Sequence, residues 1–133
     1  MNVQKTKDYI KWHSLKTKIN TRSKLATYKK RDVFWCHLGE NIGNEEDGKG
    51  QDFLRPVVVL KVYNNEFCLI APLSSKVKTN KYYVNFMFNK KPQSALISQI
   101  KSIDVRRFHY KMGTLSQQDY TLILTEFIKS LQN

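Results

Sequence analysis

Sulfur and imidazole are scarce in this chain. It has two cysteines, Cys36 and Cys68, and three histidines, with no CxxC, HExxH or paired Cys/His cluster. Structural and catalytic transition-metal sites draw their ligands from such clusters, so no metal site is expected, and no cofactor. Each cysteine stands in an apolar run, Phe34-Trp35-Cys36 and Phe67-Cys68-Leu69, where a reduced thiol acts as a small hydrophobe. Long apolar runs are missing as well. The start, Met1-Asn2-Val3-Gln4-Lys5, has no hydrophobic signal region, and the longest apolar stretches fall far short of a bilayer, so the expected location is the cytoplasm.

Acid is the third shortage: 11 Asp and Glu stand against 23 Lys and Arg, a formal net charge of +12. The excess is uneven. Residues 1–31 hold ten basic residues against one acid, Asp8, whereas residues 32–133 hold thirteen against ten. A field of this sign concentrates polyanions and speeds their capture, yet it attracts an acidic protein as readily as a nucleic acid. The 133 residues, 41% apolar, suffice for one packed core with an arm and are too few for a two-domain enzyme.

The apolar spacing divides the chain into a basic helical arm with its connector, residues 1–30, and a domain over 31–133. Residues 3–20 read as a helix, because Tyr9, Trp12, Leu15 and Ile19 fall on one face with Lys11, Lys16 and Lys18 around it. From Asp32 the period becomes two, which marks a strand over 32–38. Residues 39–53, GENIGNEEDGKGQDF, carry four of the five glycines and five of the eleven acids, and so form a long surface loop. Arg55-Pro56 then leads Val57-Val58-Val59-Leu60, a central strand buried on both faces. Asn64-Asn65 turns the chain into Glu66–Pro72, and further strands are expected at Lys81–Phe88, Gln93–Ser98 and Gln99–Val105. At the end Ser116 caps a helix, Asp119 completes a Ser-x-x-Asp box, and Tyr120, Ile123, Leu124, Phe127, Ile128 and Leu131 form its apolar stripe. The fold class is therefore mainly β with α: a small antiparallel barrel with a C-terminal helix and an N-terminal helical arm.

Five motifs occur in order: Asp-Val-Phe-Trp, a Gly-x-Glu loop, Arg-Pro-Val-Val-Val-Leu, Ala-Pro-Leu-Ser-Ser and Gln-Ile-Lys-Ser-Ile-Asp. In this order and spacing they resemble the MazF/PemK toxins of type II toxin-antitoxin systems, over about Arg31 to Leu131, with the arm similar to the extension of a longer branch. The resemblance implies a Src-homology-3-type barrel, shared with CcdB, that forms a homodimer. It also implies a metal-independent endoribonuclease that cuts single-stranded RNA at a preferred sequence, leaving a 2′,3′-cyclic phosphate and a 5′-hydroxyl, and is held inactive by a cognate antitoxin protein.

Two active-site positions carry over by motif, Arg55 and Ser74. Attack of an RNA 2′-hydroxyl on its own phosphate needs positioning and charge neutralisation more than a protein nucleophile. A forked, permanently charged guanidinium suits that task, and Ser74 has a hydroxyl to donate to a phosphoryl oxygen, with Ser75 as a stand-in. The RNA-binding set comprises Gly43, Asn44, Glu45 and Glu46 at the loop tip, with Ser75, Lys76 and Gln99. Asn44 and Glu46 replace the Ser and Gln of relatives, and Ser98 stands where relatives commonly have Glu. Three other readings remain open: His37 with His109 as an acid-base pair, a same-fold poison of gyrase, and a barrel that binds RNA without cutting it. Phe34, Tyr82 and Tyr83 are candidates for stacking on bases, with core packing as their other role.

Overall fold

The computed structural model describes residues 6–132. Helix α1 spans Tyr9–Asn20; the strands are β1 (Asp32–His37), β2 (Leu54–Val62), β3 (Phe67–Ser74), β4 (Tyr83–Phe88), β5 (Lys91–Leu96), β6 (Lys101–Asp104) and β7 (Phe108–Thr114); helix α2 spans Gln117–Gln132. All pairings are antiparallel, in the order β4-β5-β3-β2-β1-β7, with β6 also on β3. The expected barrel is present as a sheet that is not closed, since β4 and β7 at its ends share no ladder. The two ends nevertheless approach: a Cβ added at Gly113 of β7 would lie 3.1 Å from the Phe88 ring of β4.

The Val57–Leu60 run lies in β2, between β1 and β3, and divides its side chains between two cores as a doubly covered strand must. Val58 and Leu60 face Val33, Ala71, Leu73 and Phe86 beneath Tyr120 and Ile123 of α2. Val57 and Val59 face Phe34, Cys36, Cys68, Ile70 and Phe108, covered in part by Leu25, Ala26 and Tyr28 of the connector. Both cysteines are free and buried, and burial pushes each thiol up to about 12, which keeps it protonated and unreactive.

Several elements differ from expectation, among them β4, which begins at Tyr83 and not Lys81, and β5, which spans Lys91–Leu96 and not Gln93–Ser98. The N-terminal helix begins at Tyr9, where Asp8 caps it by accepting the Lys11 N–H (3.0 Å); positions 3–5 of the expected helix lie outside the described residues. The strand expected over Gln99–Val105 is preceded by a 3-10 turn, Ile97–Gln99, and shortens to β6. Strand β7 had no signal: its residues His109, Tyr110 and Lys111 are successively exposed, and its register with β1 slips twice, so no period of two survives. The cap of α2 is as expected, Ser116 accepting the Asp119 N–H at 3.1 Å, and the Tyr120 hydroxyl donates to the Leu60 carbonyl (2.6 Å). Only the first half of the α2 stripe is covered, since Ile128 and Leu131 are exposed.

Helix α1 docks through Trp12 and Ile19, which bury against Phe53 with Leu15 beside them. Trp12 lies over Gly39, where a Cβ would stand 2.0 Å from the indole and φ is +81°. Only glycine allows both the backbone and the contact there.

Candidate functional site

Arg55 and Ser74 are nineteen positions apart in sequence and line one groove. Strand β2 pairs with β3 up to Val57 opposite Pro72, and Arg55 and Ser74 lie two residues beyond that last pair on their respective strands. On the other side of each lie Cys36 of β1 and Ser94 of β5. Arg55 and Ser74, but not their buried neighbours Cys36 and Ser94, line a groove of about 630 Å³. Its walls are Trp35, Tyr110 and Met112 from β1 and β7, Pro56 and Leu73 from the centre, Lys91 and Gln93 from β5, and Lys49 and Gly50 from the long loop. Ser75 lines the same groove.

Arg55 is 8% exposed, and a cation so covered needs acceptors on every side. Its Nε–H donates to the Asp47 carbonyl (2.7 Å), one Nη to the Leu73 carbonyl (3.1 Å), and the other Nη meets Glu46 Oε1 at 2.6 Å. Three of the five donors that a guanidinium carries are thereby engaged, and two remain for an incoming anion. Ser74 is half-buried, and its Oγ accepts the Lys76 backbone N–H (3.1 Å). A hydroxyl has one donor and two acceptor positions, so this turn leaves the Ser74 O–H free to donate. Strand ends thus present a fixed charge and a free donor side by side, the arrangement that stabilises a developing phosphoryl charge.

The long loop is ordered by its own polar groups. Asn41 donates its backbone N–H to Asp47 Oδ1 (2.6 Å) and its side-chain N–H groups to the Leu38 and Glu46 carbonyls. Gln99 holds the loop tip from below, accepting the Glu46 N–H (3.2 Å) and donating to the Asn44 carbonyl (3.1 Å). Asp104 caps the turn after β6, accepting the Arg106 N–H at 2.8 Å. A second, polar hollow of about 220 Å³ opens beside the tip, lined by Asn41, Glu45, Glu46, Ser98, Gln99, Ile100 and Lys101. Burial and the nearby Arg107 hold the Lys101 ammonium below its ordinary value. Gly43, with φ of +56°, lies at the exposed bend of the tip, and Lys76 is exposed beyond Ser75. The structure therefore brings Arg55, Ser74, Ser75 and Glu46 to one place, sets Glu45 and Gln99 around the neighbouring hollow with Asn44 held beside it through its carbonyl, and leaves Lys76 in contact through its backbone.

The histidines do meet: the rings of His37 and His109 are 5.4 Å apart. His37 is buried, its Nδ1 within 2.7 Å of the Asp52 carbonyl and its Nε2 3.4 Å from Arg22, and burial first, then the charges of Arg22 and His109, hold it below its ordinary value. Neither histidine lines the groove. Phe34 stacks on Phe108 in the core at 4.3 Å, and Tyr82 and Tyr83 lie outside the groove. The aromatic surfaces that do line it are Trp35 and Tyr110, with ring centroids 6.4 Å apart. Strand alternation alone had no means of selecting them, because the bulge between Trp35 and Cys36 redirects the side chains. Lys49, Lys91 and Gln93 carried no signal of their own.

Among the described residues no group of three His, Cys, Asp or Glu is close enough to hold a metal ion, and no helix is long and apolar enough to cross a membrane. No curated protein is significantly similar to the chain in sequence. Solved structures are similar in fold. MazF from Deinococcus radiodurans superposes with a TM-score of 0.64 at 14% identity, over 81% of this chain and 99% of that one. The Mycobacterium tuberculosis toxin MazF-mt6 gives 0.58 at 15% identity, over 77% and 97%. An endoribonuclease from a mycobacterial species, in complex with its cognate antitoxin, gives 0.57 at 14% identity, over 80% and 96%. The family model that matches covers residues 29–131 and describes the PemK-like, MazF-like toxins of type II toxin-antitoxin systems. With the ordered motifs and the open antiparallel sheet in agreement with this match, the chain belongs to the MazF/PemK toxin family.

Proposed function

We propose that this toxin is a metal-independent endoribonuclease that cuts single-stranded RNA, such as mRNA, at a preferred short sequence in the cytoplasm. In this reaction the 2′-oxygen bonds to the adjacent phosphorus, the bond from phosphorus to the 5′-oxygen breaks, and the 2′ proton leaves as the 5′-oxygen gains one. The products are a 2′,3′-cyclic phosphate and a 5′-hydroxyl. The observation that carries the reading is the free hydroxyl of Ser74 beside a buried guanidinium with two N–H groups in hand, at the floor of a groove walled by Lys49, Lys91, Trp35 and Tyr110. Cations track the backbone, and aromatic faces stack on unpaired bases. Arg55 neutralises the phosphorane, since a guanidinium stays protonated and is a poor proton acceptor. Ser74 donates to a phosphoryl oxygen.

The toxin acts as a homodimer and is silenced by a cognate antitoxin; the mycobacterial relative solved with its antitoxin supports the second point. One observation favours binding without cleavage, namely that Glu46 already compensates the charge of Arg55. A single experiment separates the two. Purified protein is incubated in EDTA with a long structureless RNA, and product 5′ ends are mapped beside Arg55→Ala and Arg55→Lys, the latter keeping charge without the fork. Discrete cuts with 5′-hydroxyls, lost in both variants, are expected; RNA bound and left intact by the wild type would overturn the ribonuclease reading.

A further inference from the structure

Lys7 lies ahead of α1, outside the family-matched residues, and its ammonium is fully used. It donates to the Asn41 carbonyl (2.6 Å) and the Gly43 carbonyl (3.1 Å) and pairs with Asp47 Oδ2 (3.0 Å), three acceptors for its three N–H groups. Its side chain is only 14% exposed, and the Asp47 carboxylate beside it raises its pKa. All three acceptors belong to one loop. Tyr9 adds a donation from its hydroxyl to the Asn41 carbonyl (2.9 Å), and Trp12 covers Gly39 at the loop's start.

The same loop holds Arg55. The carbonyl of Asp47 takes its Nε–H and the carboxylate of Glu46 takes one Nη, so Asp47 is held at once by the Lys7 ammonium through its carboxylate and by the guanidinium through its carbonyl. Residues 40–47 carry four acids, Glu40, Glu45, Glu46 and Asp47, whose mutual repulsion opposes this compact turn. We propose that Lys7 is a positioning residue: by clamping Asn41, Gly43 and Asp47 it fixes the loop that orients Arg55, and the arm thereby becomes part of the cleavage machinery. This rests on the ribonuclease reading for its effect on rate, but not for its effect on Arg55 itself.

The test uses the full-length protein and two readouts. In the first, nuclear magnetic resonance of Arg side chains follows solvent exchange of the Arg55 Nε–H; Lys7→Met, which keeps the stem and removes the charge, speeds that exchange in a protein whose other amides are unchanged. In the second, steady-state cleavage of RNA shows kcat falling about tenfold to a hundredfold, the scale expected for a misplaced catalytic group, with a smaller change in KM. Asp47→Asn breaks the same pair from the loop side and gives the same two changes, and the double variant is no worse than the poorer single one. Unaltered Nε–H exchange in either folded variant overturns the proposal. Faster exchange in a protein whose wild type cuts no RNA upholds the Lys7 to Arg55 link and overturns the ribonuclease reading instead.

Discussion

Replacing Glu46 by Gln isolates one charge at the centre of the groove. The carboxylate lies 2.6 Å from the Arg55 guanidinium, in a pair whose side chains are 22% and 9% exposed. Gln keeps an oxygen acceptor for the same Nη, so the loop stays in place while the negative charge disappears. A phosphate seated on the two remaining N–H groups of Arg55 would lie about 6 Å from that charge, a repulsion of about 0.7 kcal/mol in bulk water and about 2.8 kcal/mol at an effective dielectric of about 20. Poor exposure places the pair in the upper half of this range. Glu46→Gln is therefore expected to bind RNA more tightly by about 1.7–2.8 kcal/mol, or about twentyfold to a hundredfold in Kd. The assay is fluorescence anisotropy with an RNA methylated at every 2′-hydroxyl, which binds without being cut, at two salt concentrations. Glu126→Gln on α2 makes the same change in net charge at a distance, where Glu126 only pairs with Lys129, and serves as control. Unchanged or weaker binding by Glu46→Gln, or a gain no larger than that of Glu126→Gln, would refute the argument.

Two further outcomes are expected. Ser74→Ala lowers kcat by about a hundredfold, the scale for removing one preorganised donor, while Ser74→Thr keeps most of it; single-turnover cleavage reads both, and equal rates for Ala and wild type would remove Ser74 from the site. His37 is held below its ordinary value by burial, so between that lowered value and about 6.5 the unfolded chain binds the proton more readily than the folded one. Its contribution to stability is complete above about 6.5 and is lost as pH falls through the lowered value. Urea midpoints should drop from pH 7 to pH 5 more steeply in the wild type than in His37→Gln; parallel curves would contradict this.

Much of the fold was legible because short-range rules sufficed. Four β-branched or apolar residues in a row behind Arg55-Pro56 have to be covered on both faces, and β2 is. Ser116 with Asp119 and a 3.6-residue stripe dictate α2, since capping and amphipathic spacing act within one turn. The same locality explains the misses: β7 depends on pairing with β1 through two bulges, and the exposure of Ile128 and Leu131 depends on where the sheet ends.

The site divides in the same way. The sequence by itself determined the family through ordered motifs, and with it Arg55 and Ser74 as the residues to examine, because their side-chain chemistry is intrinsic. Only the tertiary structure decided what those groups are able to do. Antiparallel pairing of β2 with β3 brought them to one groove, a turn left the Ser74 hydroxyl free to donate, and Trp35 and Tyr110 became the walls in place of Phe34, Tyr82 and Tyr83. The pairing of Glu46 with Arg55 and the grip of Lys7 on the loop join residues 9 to 40 positions apart. No periodicity or propensity encodes such contacts, because a charge acts through space and chooses its partner only after the sheet, loop and arm have brought the candidates within a few ångströms.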